Sequence, residues 1–358
     1  MLERNFDLSA RNTFRMKVRC GAYLEIGSEE ELEALFGVDD IFSPEPVFGP
    51  QALPKPVMVM GGGSNLLFRG DYPGTVVHIG IKGVEEKVVG DEIHFRVGAG
   101  EVFDDFCAMA ASRGIWGPEN LSLIPGECGA SAVQNIGAYG VEAKDIILSA
   151  RAWDLLSGKW VDIPGSACAY GYRSSNFKSV WKGRYIITYV TYRLWTTPHP
   201  VLDYGGLRKA LEAVISSEVE KSLTPQLLRD TIIDIRRRKL PDPEEVGSAG
   251  SFFCNPVISR EHFERIVSIA RSENGAEYNV PHFDLGDMVK VPAAWMIEQC
   301  GFKGATQGGA QVYRNQPLVI VNASGNASPE DVIGLEQRII DTIREKYGIV
   351  LHPEVEHI

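Results

Sequence analysis

The chain is short of cations. Its 358 residues carry 36 Lys and Arg against 47 Asp and Glu, a formal charge of −11. A surface of that sign repels phosphate backbones, so general nucleic-acid binding is excluded as a class. One local basic cluster stands out, "RRRKLPDP" from Arg236 to Pro243. Cysteines are few and scattered: Cys20, Cys107, Cys128, Cys168, Cys254 and Cys300 form no C-x-x-C and no zinc-type Cys/His spacing. That pattern fits reduced thiols better than a disulfide frame, and no metal is expected. No apolar run approaches membrane-spanning length, and "MLERNFDLSARNTF" lacks the apolar core of a signal peptide. Repeats and low-complexity segments are also lacking. The expectation is a cytoplasmic, soluble protein with no membrane or nucleic-acid partner.

What is present is an ordinary globular composition, 44% hydrophobic and 23% charged, in a chain long enough for two or three domains. Short β-rich runs fill the first half: "AYLEIGS", "PVMVMGGGS", "TVVHIG", "EIHFRVGAG", "SARAWDLL" and "RYIITYVTYRLW". Helical patterns interrupt them. Ser28 with Glu31 three residues on reads as a capping box, and "EVFDDFCAMAASRG" puts Phe103, Phe106 and Ala110 on one face before stopping at Gly114. A proline-rich connection, "FSPEPVFGPQALPKP", shows no periodicity. After Trp195 the composition shifts through "TTPHPVLDYGG" to helical stretches, which places a domain boundary nearby. Near the end, Ser328 caps a helix with Pro329 at its first position. Val332, Leu335, Ile339 and Ile343 face inward, and Gly348 ends it. The final "IVLHPEVEHI" is a strand able to return to an earlier sheet. The fold class is α+β.

Two loops are rich in small residues. In "MGGGSNLLF" the glycines Gly61, Gly62 and Gly63 allow successive backbone N–H groups to converge on an anion, with Ser64 and Asn65 adding donors. The motif is neither G-x-G-x-x-G nor a P-loop, and alone it equally describes a tight turn. "IPGECGASAVQNIGAYG", Ile124 to Gly140, is nearly free of charge. Its small side chains suit either the approach of a flat ring, read at its edge by Gln134 and Asn135, or plain packing between sheets. Two such loops in one domain favour a cradle for a pyrophosphate and a planar ring. A third stretch, "GSAGSFFCNPV", sets Ser251 between flexible and stiff segments, as either a turn hydroxyl or an acid aimed into a cavity.

"NTFRM", "GGGSNLL", "IPGECGASAVQNIGAYG", "YGYRSSNFK", "KLPDP", "GSAGSFFCNPV" and "HPEVEHI" occur in this order. Each is weak, but seven in register closely resemble the UDP-N-acetylenolpyruvoylglucosamine reductase family, from about Asn12 to Ile358. The resemblance implies an FAD-binding fold of the vanillyl-alcohol-oxidase kind, two α+β subdomains, with a C-terminal α+β substrate domain. Its division of the chain would be 1–79 for the first flavin subdomain, joined by the C-terminal strand 346–358, then 80–225 for the second and 226–345 for substrate. Non-covalent FAD would lie on Gly61, Gly62, Gly63, Ser64 and Asn65, and on Ile124, Pro125, Gly126, Gln134, Asn135, Gly137, Ala138 and Tyr139. Glu127 and Cys128 depart from the smaller or more apolar residues expected after "IPG".

The same resemblance implies the chemistry. NADPH reduces FAD, flavin N5 passes hydride to C3 of the enolpyruvyl ether of UDP-N-acetylglucosamine-enolpyruvate, and UDP-N-acetylmuramate results, a peptidoglycan precursor. Ser251 matches the proton donor to C2, and Arg173 and Glu354 the groups that stabilise the developing charge. Tyr172, Lys239, Asn255 and Gln316 match substrate-holding positions. "VLDYGGL" resembles the lid loop of the family's first type, with Tyr204 its tyrosine. Arg236 and Arg237 read instead as a solvated helix end. A monomer is expected. Two rivals remain: an oxygen-using alcohol or lactone oxidase on the same fold, and a flavin or nucleotide-sugar sensor without turnover.

Overall fold

The computed structural model describes residues 2–36, 55–204, 206–217 and 223–358. All but the last two residues of the proline-rich connection lie outside them. The chain divides into two compact units. Unit 1 comprises residues 1–6, 20–63 and 72–238, and unit 2 residues 7–19, 64–71 and 239–358. The chain therefore changes unit inside the triple-glycine motif, between Gly63 and Ser64.

Among its described residues unit 1 holds two large sheets and a two-stranded one, Gly137–Ala138 with Val141–Glu142. In the first, Arg19–Ile26 and Val57–Met60 flank Tyr72–Ile79 in parallel, and Leu2–Asp7 lies outermost. Close backbone approach selects glycine here: a Cβ on Gly74 would collide with the Pro56 carbonyl. The second sheet is antiparallel, ordered Lys159–Pro164, Ile147–Asp154, Tyr185–Trp195, Glu92–Gly98, Val84–Val89. Its last strand is exposed at every position. Such an edge strand carries no hydrophobic alternation, which is why its sequence gives no strand signal.

Among the described residues five α-helices accompany these sheets. Helix α1, Glu29–Phe36, takes an N–H bond at Ser28 Oγ, and Glu31 returns a carboxylate to the Gly27 N–H, one residue earlier than a reciprocal box requires. Helix α2, Phe103–Ser112, buries Phe103, Phe106 and Ala110 as its spacing predicts. Helix α3, Cys128–Gln134, lies on the antiparallel sheet: Ser131 Oγ and Tyr192 Oη are 2.7 Å apart, and Tyr192 donates to the Cys128 carbonyl. A Cβ on Gly129 would stand 2.8 Å from the Ala99 Cβ, so only glycine lets α3 settle there. Helices α4, Leu207–Ser217, and α5, Pro225–Lys239, bring Leu207, Leu211, Leu228 and Ile232 around Trp116. Composition shifts after Trp195, but packing does not change unit until Arg238.

Unit 2 is built on the strands Gly247–Ser251, Val319–Asn322, Ala310–Val312 and Thr306–Gln307, in that order. Helix α6, Arg260–Asn274, and helix α7, Ala293–Gln299, come before the C-terminal helix. Helix α8, Pro329–Tyr347, begins with Ser328 and Asp331 in a reciprocal capping box and ends at Gly348 with φ 69°. Val332, Leu335, Ile339 and Ile343 are all buried. The predicted C-terminal strand narrows to Glu356–His357, paired in parallel with Leu66–Leu67. All six cysteines are free. Among the described residues no helix is long and apolar enough to cross a membrane.

One charged pair ties α2 to α5. Arg229 donates from Nη1 to Asp104 Oδ1 at 2.5 Å and from Nη2 to Oδ2 at 2.9 Å, with the arginine side chain only 8% exposed. Burial pushes the Asp104 carboxyl up, but Arg229 and the Leu123 N–H outweigh it and hold it below its ordinary value. Arg229→Met should leave a mostly buried carboxylate without its cation and cost about 3 kcal/mol. Urea denaturation checks this, and a loss too small to resolve would show that the pair contributes little.

Candidate functional site

In unit 1 the two glycine loops meet backbone to backbone. A Cβ on Gly62 would stand 3.7 Å from the Gly126 Cα, and one on Gly61 3.6 Å from the Ala130 Cβ. Gly63 takes φ 64° and Gly126 φ 116°, values that favour glycine. The second loop combines the two roles its composition allows. Cys128, Gly129, Ser131 and Ala132 are buried against the sheet, whereas Gly126 faces the first loop. Small-residue packing explains one side and close backbone approach the other.

The loop is entered through Leu123, whose φ of 59° is unusual for a branched side chain. Its N–H donates to Asp104 Oδ1 at 2.5 Å, and its carbonyl accepts from Arg236 Nη2 at 3.2 Å. Arg236 is therefore not a solvated helix end. Burial pushes its guanidinium down, Tyr139 offsets part of that, and Arg173 pushes it further down, so two cations and a phenol share one region. The missed signal was the seven-residue spacing from Arg229 to Arg236, which returns both to one face of α5. Arg237 is exposed as expected.

Past the helix the candidate residues are held by their own hydrogen bonds. Asn135, at φ 46°, donates both amide hydrogens, to Glu142 Oε2 and the Gly171 carbonyl, and accepts from the Lys144 N–H. Its side chain thus supports the loop, leaving little to read a ring edge. Gln134 Oε1 accepts from Lys178 at 2.7 Å. Tyr172 and Arg173 form the tip of a tight turn closed between Gly171 and Ser174. Arg173, at φ 52°, donates to the Gly137 carbonyl at 3.1 Å. Tyr204 stacks edge-on against Tyr139 at 6.4 Å, over Gly140, where a Cβ would stand 3.4 Å from the Tyr204 Cβ. Asn120 bonds the carbonyls of Tyr139 and Val201, tying this turn to the segment before Tyr204.

Unit 2 brings the segment after Ser251 alongside the C-terminal segment that carries Glu354. The pairing of Gly247–Ser251 with Val319–Asn322 is irregular between Ser248 and Ser251, and Gly250 sits there at φ 71°. Such a bulge re-aims the side chain beyond it. Next in the chain, Phe252 and Phe253 are buried, the Glu354 N–H donates to the Phe252 carbonyl at 2.8 Å, and Phe253 bridges to Pro353. Asn65 donates to the Glu354 carbonyl and accepts from the Glu356 N–H. Asn255 accepts from the Ala293 N–H at the start of α7, Gln316 closes a turn to Val319, and Lys239 is exposed at the end of α5.

Relatives decide the family. The chain is 43% identical to the UDP-N-acetylenolpyruvoylglucosamine reductase of Bacteroides fragilis over 360 residues, covering 100% of both. It is 42% identical to that of Porphyromonas gingivalis, covering 100% of this chain and 99% of the other. The chain belongs to the UDP-N-acetylenolpyruvoylglucosamine reductase family. Residues 242–358 match that family's C-terminal domain, and residues 51–164 match an FAD binding domain. The reductase of Thermus caldophilus shares the fold, with a TM-score of 0.64 at 20% identity, over 100% of this chain and 98% of that one. The protein is an FAD-dependent oxidoreductase of α+β fold. The loops fit such a group: glycine clears their meeting point, and the Glu127 Oε2 there is a buried acceptor without a donor among the described residues.

Glu119, beside these loops, is 2% exposed and accepts from the Gly117 N–H at 2.6 Å. Burial pushes its carboxyl up from 4.5 to about 7. The folded chain then keeps a proton that the unfolded chain releases, so stability falls as pH rises between those values. Glu119→Gln keeps an oxygen acceptor for Gly117 and should remove on the order of 2–3 kcal/mol of that decline. Urea melts at pH 5 and pH 8 measure it, and equal pH dependence in both proteins would refute the assignment. Glu336, pushed up to about 7 by burial, leaves a residual decline in both.

Proposed function

We propose that the protein reduces the enolpyruvyl ether of UDP-N-acetylglucosamine-enolpyruvate to UDP-N-acetylmuramate with NADPH, supplying peptidoglycan synthesis in the cytoplasm. The full-length likeness to reductases of that name supports the substrate. The observation that carries the mechanism is the irregular pairing at Gly250, which sets Ser251 directly before Phe252, the backbone partner of Glu354. When bound, FAD supplies the two-electron carrier between NADPH and C3 of the substrate. Ser251 gives a proton to C2, where the strongly basic enolate makes even a hydroxyl an adequate acid. Arg173 and Glu354 face the charge that develops on the substrate carboxylate. The left-handed backbone of Arg173 and its bond to Gly137 support a side chain held in advance of reaction.

The remaining assignments accord with this chemistry. Gly61 to Asn65, with Ile124, Pro125, Gly126, Gln134, Asn135, Gly137, Ala138 and Tyr139, hold non-covalent flavin; Asn65 and Asn135 do so through backbone groups and by supporting their loops. Tyr172, Lys239, Asn255 and Gln316 hold the sugar nucleotide, the lysine as a point charge for diphosphate. Residues 1–79 with 346–358, then 80–225, form the flavin part and 226–345 the substrate part, with α5 at its start anchored through Arg229. The protein acts as a monomer.

Ser251→Ala should keep its flavin and its bleaching by NADPH, yet slow reoxidation by the enolpyruvyl substrate about 10²–10⁴-fold. Stopped-flow absorbance separates the two half-reactions. Equal slowing of both would assign Ser251 to loop geometry, and unchanged reoxidation would assign the proton to another group.

Tyr204 acts as the lid of the family's first type. Tyr204→Phe should raise the KM for the sugar nucleotide about three- to tenfold, the worth of one hydrogen bond, and leave flavin reduction unchanged. Slower reduction at saturating NADPH would contradict a lid.

A further inference from the structure

Glu127 is one of the two residues that depart from the family's expected pattern, and its surroundings are specific. It directly follows Gly126 and precedes α3, yet its side chain does not cap that helix. Instead Oε1 lies 2.9 Å from His78 Nε2, on the strand Tyr72–Ile79 of the parallel sheet. His78 is buried, and its Nδ1 faces Glu25 Oε2 at 3.7 Å, with the Tyr23 hydroxyl 3.5 Å from that same oxygen. The imidazole thus fixes one carboxylate oxygen of Glu127 and the direction of the other.

That other oxygen, Oε2, is buried and has no hydrogen-bond partner among the described residues. It points at the first glycine loop: a Cβ on Gly61 would stand 3.1 Å from it, and one on Gly62 3.8 Å from the carboxylate carbon. It occupies the place where the two loops meet. An ionised carboxylate only accepts hydrogen bonds, and a buried acceptor without a donor is costly. A pyrophosphate cannot satisfy it, because that group also only accepts and carries the same sign of charge. The hydroxyls of FAD, on its ribityl chain and its adenosine ribose, are donors of the right kind.

We propose that Glu127, aimed by His78, is a cofactor-positioning residue that accepts a hydrogen bond from a sugar or ribityl hydroxyl of FAD. This rests on the assignment of the two glycine loops to flavin. It assigns a recognition role to the one charged side chain in a loop otherwise made of small, uncharged residues, and it places the negative pyrophosphate away from this point, toward the Gly63 end of the first loop.

The test uses the full chain stripped of flavin and titrated with FAD by flavin fluorescence. Glu127→Ala should weaken FAD about ten- to a hundredfold, the effect of losing a hydrogen bond to a charged group. Glu127→Gln, which keeps the shape and the His78 contact, should lose less. FAD analogues lacking single ribityl or ribose hydroxyls identify the donor. One of them should bind the wild type as weakly as FAD binds Glu127→Ala, and Glu127→Ala should not distinguish that analogue from FAD. Undiminished FAD binding by Glu127→Ala would overturn the proposal. So would a loss on mutation that is the same for FAD and for every analogue, since Glu127 would then act only as a clamp on the loop. Wild-type chain that binds no FAD at all would instead overturn the flavin-site reading and this proposal with it.

Discussion

The Asp104 carboxylate is the interaction on which unit 1's site depends. It receives the Leu123 N–H and the Arg229 guanidinium, and Arg236, one face-repeat along the same helix, takes the Leu123 carbonyl. A left-handed leucine is an unfavourable conformation, and holding both of its peptide groups with charged side chains makes it persistent. Immediately after Leu123 the chain turns and brings Gly126 against Gly62. Helix α5 thus determines where the loop begins, although more than a hundred residues separate them in sequence.

Unit 2 reaches a comparable result through backbone alone. One glycine at φ 71° breaks the ladder before Ser251, two buried phenylalanines resume it, and the C-terminal segment is stitched to Phe252 and Cys254 by main-chain bonds. Ser251 and Glu354 are brought together along the chain by this main-chain pairing of Phe252 with Glu354. Asn65 then fastens the same C-terminal segment to the residues after the glycine triplet.

The small-residue loop shows how one segment serves two partners. On its sheet side, absent side-chain volume allows α3 to sit on Ala99 and Tyr192. On its other side, absent volume lets its backbone come up against that of the first glycine loop. Glu127 sits at the change from one role to the other, with one oxygen on His78 and one at the meeting point of the loops.

Much of this is legible in the order of the amino acids. The cap at Ser328, the inward stripe of α8 and its stop at Gly348 depend only on residues a few positions apart, so local spacing determined them. The ordered motifs likewise determined the family and the FAD-binding domain. Local pattern could not reveal the strand Val84–Val89, which is exposed throughout and paired along one edge with its neighbour. Nor could it show that the Arg236 guanidinium is drawn out of water, that the Asn135 amide is occupied by Glu142 and Gly171, or that Glu127 finds His78 across 49 residues. Each of these depends on which distant group desolvates or satisfies a polar atom, and only the tertiary fold decides that.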